Sequence, residues 1–374
     1  MKIVNGRVFD GEGFESKTLY VSDGRFVEES AWQDDGVVLD AKGLVVAPGF
    51  IDLHFHGCMG ADFCDASDAS IHTIAAYEAA QGVTAICPAT MTFPEEILGP
   101  VMDAAAAFEP GANEAALVGI NMEGPFISPD KVGAQNPLYV QTADLAMFRR
   151  LQQRSGGLVK LVDVAPEEAG ALSFIEQAST EVRISVAHTC ASYDEARAAF
   201  EAGARQMTHL YNAMPGLHHR TPGPIAAAAE CDDVFAELIC DGIHIHPAMV
   251  RLAFKLFGPE RMVLISDSLE CAGLEDGEYA LGGQPIVMKE GRATLLDGTI
   301  AGSSSNLAQC VKVAVSEMGI PLEHALRAAT LNPAVALGVS GERGCIAPGK
   351  VADAVFVAAD GSVERVIVRG KVLN

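Results

Sequence analysis

The sequence predicts an α/β protein: a (β/α)8 TIM-like barrel plus a small β-sandwich domain formed by the N- and C-terminal segments. From about Pro48 onward, short apolar runs alternate with Ala-rich stretches of helical character, about eight times over. Continuous apolar strands between amphipathic helices mean a parallel sheet with helices outside it, and eight repeats favour a closed barrel. Both ends of the chain instead alternate residue by residue, as short half-buried strands do. No Gly-x-Gly-x-x-Gly follows the first strand, which counts against an open dinucleotide-binding sheet.

In chain order, Lys2–Phe9, Thr18–Val21, Arg25–Glu28 and Val37–Leu39 read as strands separated by turns at Gly11, Gly13, Gly24 and Gly36. The barrel strands then read as Thr84–Cys87, Leu117–Met122, Leu158–Val164, Arg183–Ala187, Gln206–Thr208, Phe235–Ile239 and Met262–Ile265, after a first run Phe50–Leu53. Among the helices are Ile71–Gln81, Pro94–Phe108, Ser192–Gly203 and Pro247–Leu256. The tail returns to strands at Ala354–Val357 and Arg365–Val368, so head and tail are expected to pair into one sheet. The expected boundaries are 1–47 with 347–374 for the small domain and 48–346 for the barrel.

With 374 residues, 49% hydrophobic and 20% charged, the chain is long enough for one large core and a smaller one. Its 26 basic and 49 acidic residues give a formal charge of −23. Such a surface repels phosphate backbones and anionic headgroups, so neither nucleic acid nor a membrane is expected as a partner. An anionic substrate would have to be captured locally, against that field. Nine cysteines stand singly with no Cys-x-x-Cys pair, the pattern of reduced thiols. The opening Met1–Gly13 is too short in apolar residues for a signal segment, and no run approaches the ~18 needed to span a bilayer. A cytoplasmic protein is expected.

The chemistry-bearing residues gather at strand ends. His54 and His56 close the first barrel run, and alternate residues of a strand point the same way, so both imidazoles can reach one metal. Two histidines near a turn are often mere surface; the C-terminal end of a barrel strand, where barrel enzymes place their chemistry, improves the case. Glu123, His188 and His209 end later runs. Each alone has a structural explanation, but five such residues from four separate strands can converge as a Zn or Fe ligand set, with Glu123 able to bridge two ions. Asp267 ends Val263–Ile265 two residues on; it reads either as a helix cap or as the carboxylate that moves a proton for a metal-activated water. His244 reads as a carbonyl-polarising group. His246, before Pro247, is not expected to share its direction. His218 and His219 read as loop surface, and His72 and His324 as solvated helix residues.

These residues carry a resemblance. Val46–His56 resembles the entry motif of the amidohydrolase superfamily and Gly344–Asp353 its closing motif. Between them, Met122–Phe126, His209–Met214 and Asp241–His244 resemble the N-acetylglucosamine-6-phosphate deacetylase family, in that family's order and across essentially the whole chain. The resemblance implies a barrel with a small β-sandwich, a cytoplasmic homodimer, and a divalent metal cofactor, zinc with iron as the alternative, at one or two ions per chain. It implies hydrolysis of N-acetyl-D-glucosamine 6-phosphate to glucosamine 6-phosphate and acetate. Glu123, His188 and His209 match the principal metal site, His54 and His56 the pair of members that hold a second ion, Asp267 the acid/base and His244 the carbonyl-polarising residue. Ala134, Gln135, Asn212, Ala213 and Arg220 match substrate-contacting positions, and Ile300, Ala301 and Gly302 a loop over the sugar. The chain departs from the pattern at Gln135, where many members carry His, and after Asp267 in Ser268–Gly273. The alternatives are the same chemistry on N-acetylgalactosamine 6-phosphate, a cyclic-amide hydrolase, for which a carboxylated Lys is wanted and only Lys160 comes near a strand, and an inactive sugar-phosphate-binding barrel.

Overall fold

The structure, a computed structural model, describes residues 1–373. Parallel strands run through Phe50–Asp52, Val83–Ile86, Ala116–Leu117 continued by Ile120–Met122, Val159–Val164, Arg183–Val186, Gln206–Met207, Phe235–Ile239 and Met262–Ile265. Each pairs in parallel with the next. The third strand, expected as one run, breaks at Val118 and Gly119. A Cβ on Gly119 would lie 2.5 Å from Lys160 Cγ, so the neighbouring strand presses on the chain there. The first and last strands share no ladder among the described residues. They meet just beyond their ends, where Asp267 N donates to His54 O (3.0 Å) and Ser266 Oγ to Asp52 (2.5 Å). The curled sheet is therefore joined edge to edge at the rim where the candidate ligands sit.

Side-chain alternation divides the strands into two faces. Val162, Val164, Ile184, Val186, Leu238 and Leu264 pack outward with helix residues such as Leu151, Phe174, Phe200 and Val250. Facing inward, Ile51, Leu53, Ala85, Cys87, Ile239, Val263 and Ile265 form a separate apolar cluster. The inward positions of the middle strands are polar and buried: Asn121, Asp163, Ser185, Gln206, Thr208 and Glu237. All but Asn121 bond within this set, Thr208 to Asp163 at 2.9 Å and to Ser185 at 2.6 Å, and Gln206 to Glu237 at 2.5 Å, while Asn121 Nδ2 lies 3.4 Å from His54 Nδ1. Buried polar groups need such partners. The helices begin where local chemistry starts them: Ser192 and Glu195 close a capping box on Tyr193–Ala202, and Pro247 opens Pro247–Phe257.

The termini pair as expected, Val355 opposite Ala47 and Phe356 opposite Val46, within a six-stranded sheet. A four-stranded sheet containing Lys2–Val4 lies against it, with Ile3, Val21 and Phe26 packed on Val46, Phe356 and Ile367. The single strand expected over residues 2–9 is instead two, one in each sheet. Asn5 takes a φ of 58°, and a Cβ on the adjacent Gly6 would lie 2.8 Å from Val46, which is how the chain crosses between layers.

One module was not foreseen. Gly277–Leu281, Gln284–Lys289, Arg292–Leu295 and Ile300–Ser303 form an antiparallel meander. Gly282 and Gly283 (φ 56° and 78°) make the first turn, and Glu290 with Gly291 (φ 52° and 75°) the second. Two consecutive residues at positive φ are what a two-residue hairpin turn demands. Ile300–Gly302, expected as a loop, is an edge strand of this sheet.

Candidate metal centre

The strand-end residues meet in one place. His54, His56, Glu123, His188, His209 and Asp267 are all less than a tenth exposed. His188, His209 and Asp267 each follow a parallel strand by two residues, and each lies in the left-handed region, with φ of 42°, 28° and 51°. Non-glycine residues enter that region at a cost of about 1–3 kcal/mol each and remain there only where the surroundings enforce it. The turn aims each side chain across the mouth of the sheet rather than along the strand. The helix-cap reading of Asp267 is set aside, since no helix follows it.

Two groups form, His54 with His56 and Asp267, and Glu123 with His188 and His209, the donor atoms within each group lying within 4.8 Å of one another. Glu123 joins them. Its Oε1 is 2.9 Å from His188 Nε2, 3.2 Å from His209 Nε2 and 3.4 Å from His54 Nε2; its Oε2 is 3.2 Å from His56 Nε2. Asp267 Oδ1 is 3.5 Å from His56 Nε2 and 3.8 Å from His54 Nε2.

These residues fit a divalent metal. His188 Nδ1 faces the Lys131 carbonyl at 2.9 Å and must carry the proton in that bond. Its Nε2 is then the nitrogen turned toward the Glu123 carboxylate and toward His209 Nε2 at 3.0 Å. His54 repeats the pattern: Nδ1 bonds Glu237 at 2.9 Å, and the buried Nε2 has no hydrogen-bond partner. Carboxylate oxygens this close to imidazole nitrogens call for positive charge between them, a proton or a metal ion. The ionisation balance says the same. Burial acts to lower the His54 pKa, yet Glu123 and Glu237 hold it well above the imidazole range; burial likewise opposes His56, which Asp267 and Glu123 carry to about 10. Burial acts to raise Glu123 and Asp267, and the surrounding histidines hold both below the carboxylate range. An anionic cluster lined with imidazole nitrogen is the donor set of Zn or Fe.

A cavity of about 280 Å³ opens on this cluster. His56, Glu123, His188, His209 and Asp267 form its floor, and His244 stands in its wall. Ala134, Gln135, Asn212 and Ala213 line one side, and Ile300, Ala301 and Gly302 from the unforeseen sheet cover another. That cover touches the floor: Ser303 N donates to Asp267 O at 2.7 Å, and a Cβ on Gly302 (φ 151°) would lie 3.0 Å from the same oxygen. His244 Nδ1 bonds Asp241 at 2.7 Å, leaving Nε2 as its free nitrogen. Burial opposes protonation of His244, but the Asp241 bond prevails and raises its pKa.

Residues 45–373 match the profile of the Amidohydrolase family. The chain is 37% identical to N-acetylglucosamine-6-phosphate deacetylase of Bacillus subtilis, over 88% of this chain and 84% of that one. The chain belongs to the amidohydrolase family. It is also 33% identical to N-acetylgalactosamine-6-phosphate deacetylase of Escherichia coli O157:H7, over 94% of this chain and 98% of that one. Among solved structures, a mutant N-acetyl-D-glucosamine-6-phosphate deacetylase from Mycobacterium smegmatis, in complex with N-acetyl-D-glucosamine-6-phosphate, superposes with a TM-score of 0.92 at 34% identity, covering 100% of this chain and 98% of that one.

Not every residue singled out in this amidohydrolase lines the cavity. Arg220 is exposed, bonds His219 Nε2 at 2.8 Å, and lines a separate cavity with Cys190, Tyr193 and Pro215. Gln135 is buried in the wall with both ends of its amide engaged: Oε1 accepts from Thr92 N (2.7 Å) and Nε2 donates to Glu123 Oε2 (2.6 Å). Lys160 lies near the start of its strand and lines a cavity with Arg183 and Val335, apart from the ligands. His246 caps the following helix, accepting from Ala248 N at 3.1 Å. His72, expected to be merely solvated, is paired with Glu114 at 2.8 Å. Glu237 and Asp241 were not singled out for roles. A carboxylate inside the apolar run Phe235–Ile239 was the available signal for the first, and its spacing of three from His244 for the second. All nine cysteines are free. No helix among the described residues is long and apolar enough to cross a membrane.

Proposed function

We propose that this amidohydrolase is a metal-dependent deacetylase that hydrolyses N-acetyl-D-glucosamine 6-phosphate to D-glucosamine 6-phosphate and acetate. One observation carries the reading: four of the ligand candidates, Asp267 and His244 line one cavity, with His54 and Asp241 bonded behind them, in a chain whose relatives of matching length bear that activity in their names.

Glu123, His188 and His209 would hold one ion, and His54, His56 and Asp267 a second, with the Glu123 carboxylate between them; zinc suits this set best and iron is the alternative. When bound, such ions bring the pKa of a coordinated water toward neutrality and polarise the acetyl carbonyl. The chain's own groups do the rest. Asp267 accepts a proton from the water as its oxygen attacks the acetyl carbon. His244, anchored by Asp241, donates from Nε2 to the carbonyl oxygen as negative charge builds there. Asp267 then gives the proton to the nitrogen, the C–N bond breaks, and acetate and the amine leave. Asn212 and Ala213 on one wall, with Ile300, Ala301 and Gly302 on another and Ala134 beside them, would hold the sugar phosphate, a role supported by their lining the cavity. Gln135 is better placed to fix Glu123 than to reach a phosphate, and Arg220 would need to approach from outside the cavity.

The same proposal includes a closed (β/α)8 barrel over 48–346 and a β-sandwich from 1–47 and 347–374, supported by the rim bonds between the first and last strands and by the pairing of the termini. It includes a cytoplasmic homodimer, the compartment supported by the free thiols; sedimentation velocity tests the dimer.

The deciding experiment is acetate release by zinc-loaded protein from N-acetylglucosamine 6-phosphate, its galacto epimer and the unphosphorylated sugar. Preference for the gluco phosphate supports the proposal. Preference for the epimer keeps the chemistry and overturns the substrate, and no release from any of the three overturns the substrate class.

A further inference from the structure

Beneath the metal centre, Glu237 is fully buried in the sheet interior. A carboxylate there is costly unless its oxygens are matched. Both are. Oε1 accepts from Gln206 Nε2 at 2.5 Å, while Oε2 faces His54 Nδ1 at 2.9 Å and accepts from His209 N at 3.3 Å. One carboxylate oxygen thus ties a ligand of the first strand to the backbone of a ligand after the sixth. The other three histidines have no such support. His188 Nδ1 meets a neutral carbonyl, and the Nδ1 atoms of His56 and His209 have no hydrogen-bond partner among the described residues. With Nδ1–H committed to Glu237, His54 must present Nε2 to the site, 3.4 Å from Glu123 Oε1 and 3.8 Å from Asp267 Oδ1.

We infer that Glu237 is a positioning residue for the second ion: it fixes the tautomer and direction of His54 and so decides whether the His54, His56 and Asp267 side holds metal. The inference rests on the two-ion reading above. A carboxylate behind a ligating imidazole both orients it and makes it a stronger donor, and loss of such a partner weakens metal binding about 10–100-fold. The effect is confined to one side, because the Glu123, His188 and His209 group takes no side-chain bond from Glu237.

The test is titration of metal-free protein with zinc against a chelator, followed by cobalt absorption spectra of each loaded form. The unmutated protein should take two ions. Glu237→Gln, nearly isosteric, should keep the first at unchanged affinity and hold the second about 10–100-fold more weakly. In a His54→Asn background, adding Glu237→Gln should change nothing further, an outcome that a general packing role would not give. Should Glu237→Gln fail to fold, Gln206→Met frees the same carboxylate from its other side and should weaken the second ion in the same direction. Equal affinity for the second ion in the unmutated and altered proteins overturns the role of Glu237. A single ion in the unmutated protein overturns the two-ion reading and this role with it, and is recognised because it appears before any substitution.

Discussion

Glu123, His188 and His209 reach the centre from the ends of three strands, and the two histidines do so through left-handed backbone. His54 and His56 come from one short stretch after a single strand, at ordinary φ, and of the two only His54 has a hydrogen bond behind its ring. The first group is placed by main-chain geometry that the parallel ladder enforces, so its direction is settled when the sheet forms. The second is placed by side chains, Glu237 behind His54 and nothing behind His56. One side of the centre should resist changes in its surroundings, and the other should respond to them.

The largest effect should come from the atom group common to both sides. Glu123→Ala removes the carboxylate facing all four histidines; metal analysis should find neither ion retained, and turnover should fall to background. An ion still tightly held by His188 and His209 would mean that the two sides are less dependent on Glu123 than their distances imply. Next, Asp267→Asn should keep metal bound at the Glu123 side while turnover drops about 10²–10⁴-fold, the span of general acid–base catalysis. Near-normal turnover in a metallated variant would remove Asp267 from the proton path. His244 lies outside both groups, and His244→Phe should cost about 10²–10³-fold in kcat without altering metal content. Its raised pKa gives a sign: the donating, protonated form prevails below the folded pKa and is lost as pH rises through it, so activity should fall on the alkaline side. Asp241→Asn removes the bond that raises it and should move that fall to lower pH; an unmoved profile would detach His244 from the reaction. The smallest effect is expected from Gln135→Leu, which frees Glu123 Oε2, the oxygen nearest His56. It should weaken metal binding about 10–100-fold, mostly at the His54 and His56 side. Equal weakening at both sides would erase the contrast drawn here.

The clustering of the candidate ligands was legible because each combines two signals that survive in one dimension, an apolar strand and a residue of metal-binding type just past its end. His188 and His209 show this most clearly. The strand runs carried the parallel sheet for the same reason, and the alternating ends carried the pairing of head with tail, although Val45–Pro48, the fully buried strand that makes it, was not among the strands read. What was not legible depended on contacts between distant segments. Gln135 lines the cavity, but sequence cannot show that Thr92 and Glu123 engage both ends of its amide there. Arg220 lies close in sequence to Asn212 and Ala213, yet the intervening loop carries it to another cavity. Glu237 was overlooked as one charge in an apolar strand, and its meaning appears only when His54 is seen across the interior. The meander of Gly277–Ser303 was written in its Gly282–Gly283 and Glu290–Gly291 turns, but its strands are half exposed, without the apolar continuity that marked the barrel.

The peptide of Asp267 belongs to two structures at once, its N–H held by His54 O and its carbonyl by Ser303 N. The meander that roofs the cavity is therefore not an appendage that can be traded for another of similar length. A graft from a relative, or a library built in residues 277–303 to reshape the cavity, would shift the aspartate by whatever it shifts Gly302 and Ser303. Transplants that keep Ile300–Ser303 and vary only the outer hairpin leave that splice intact, which gives anyone redesigning the specificity of this enzyme a natural place to cut.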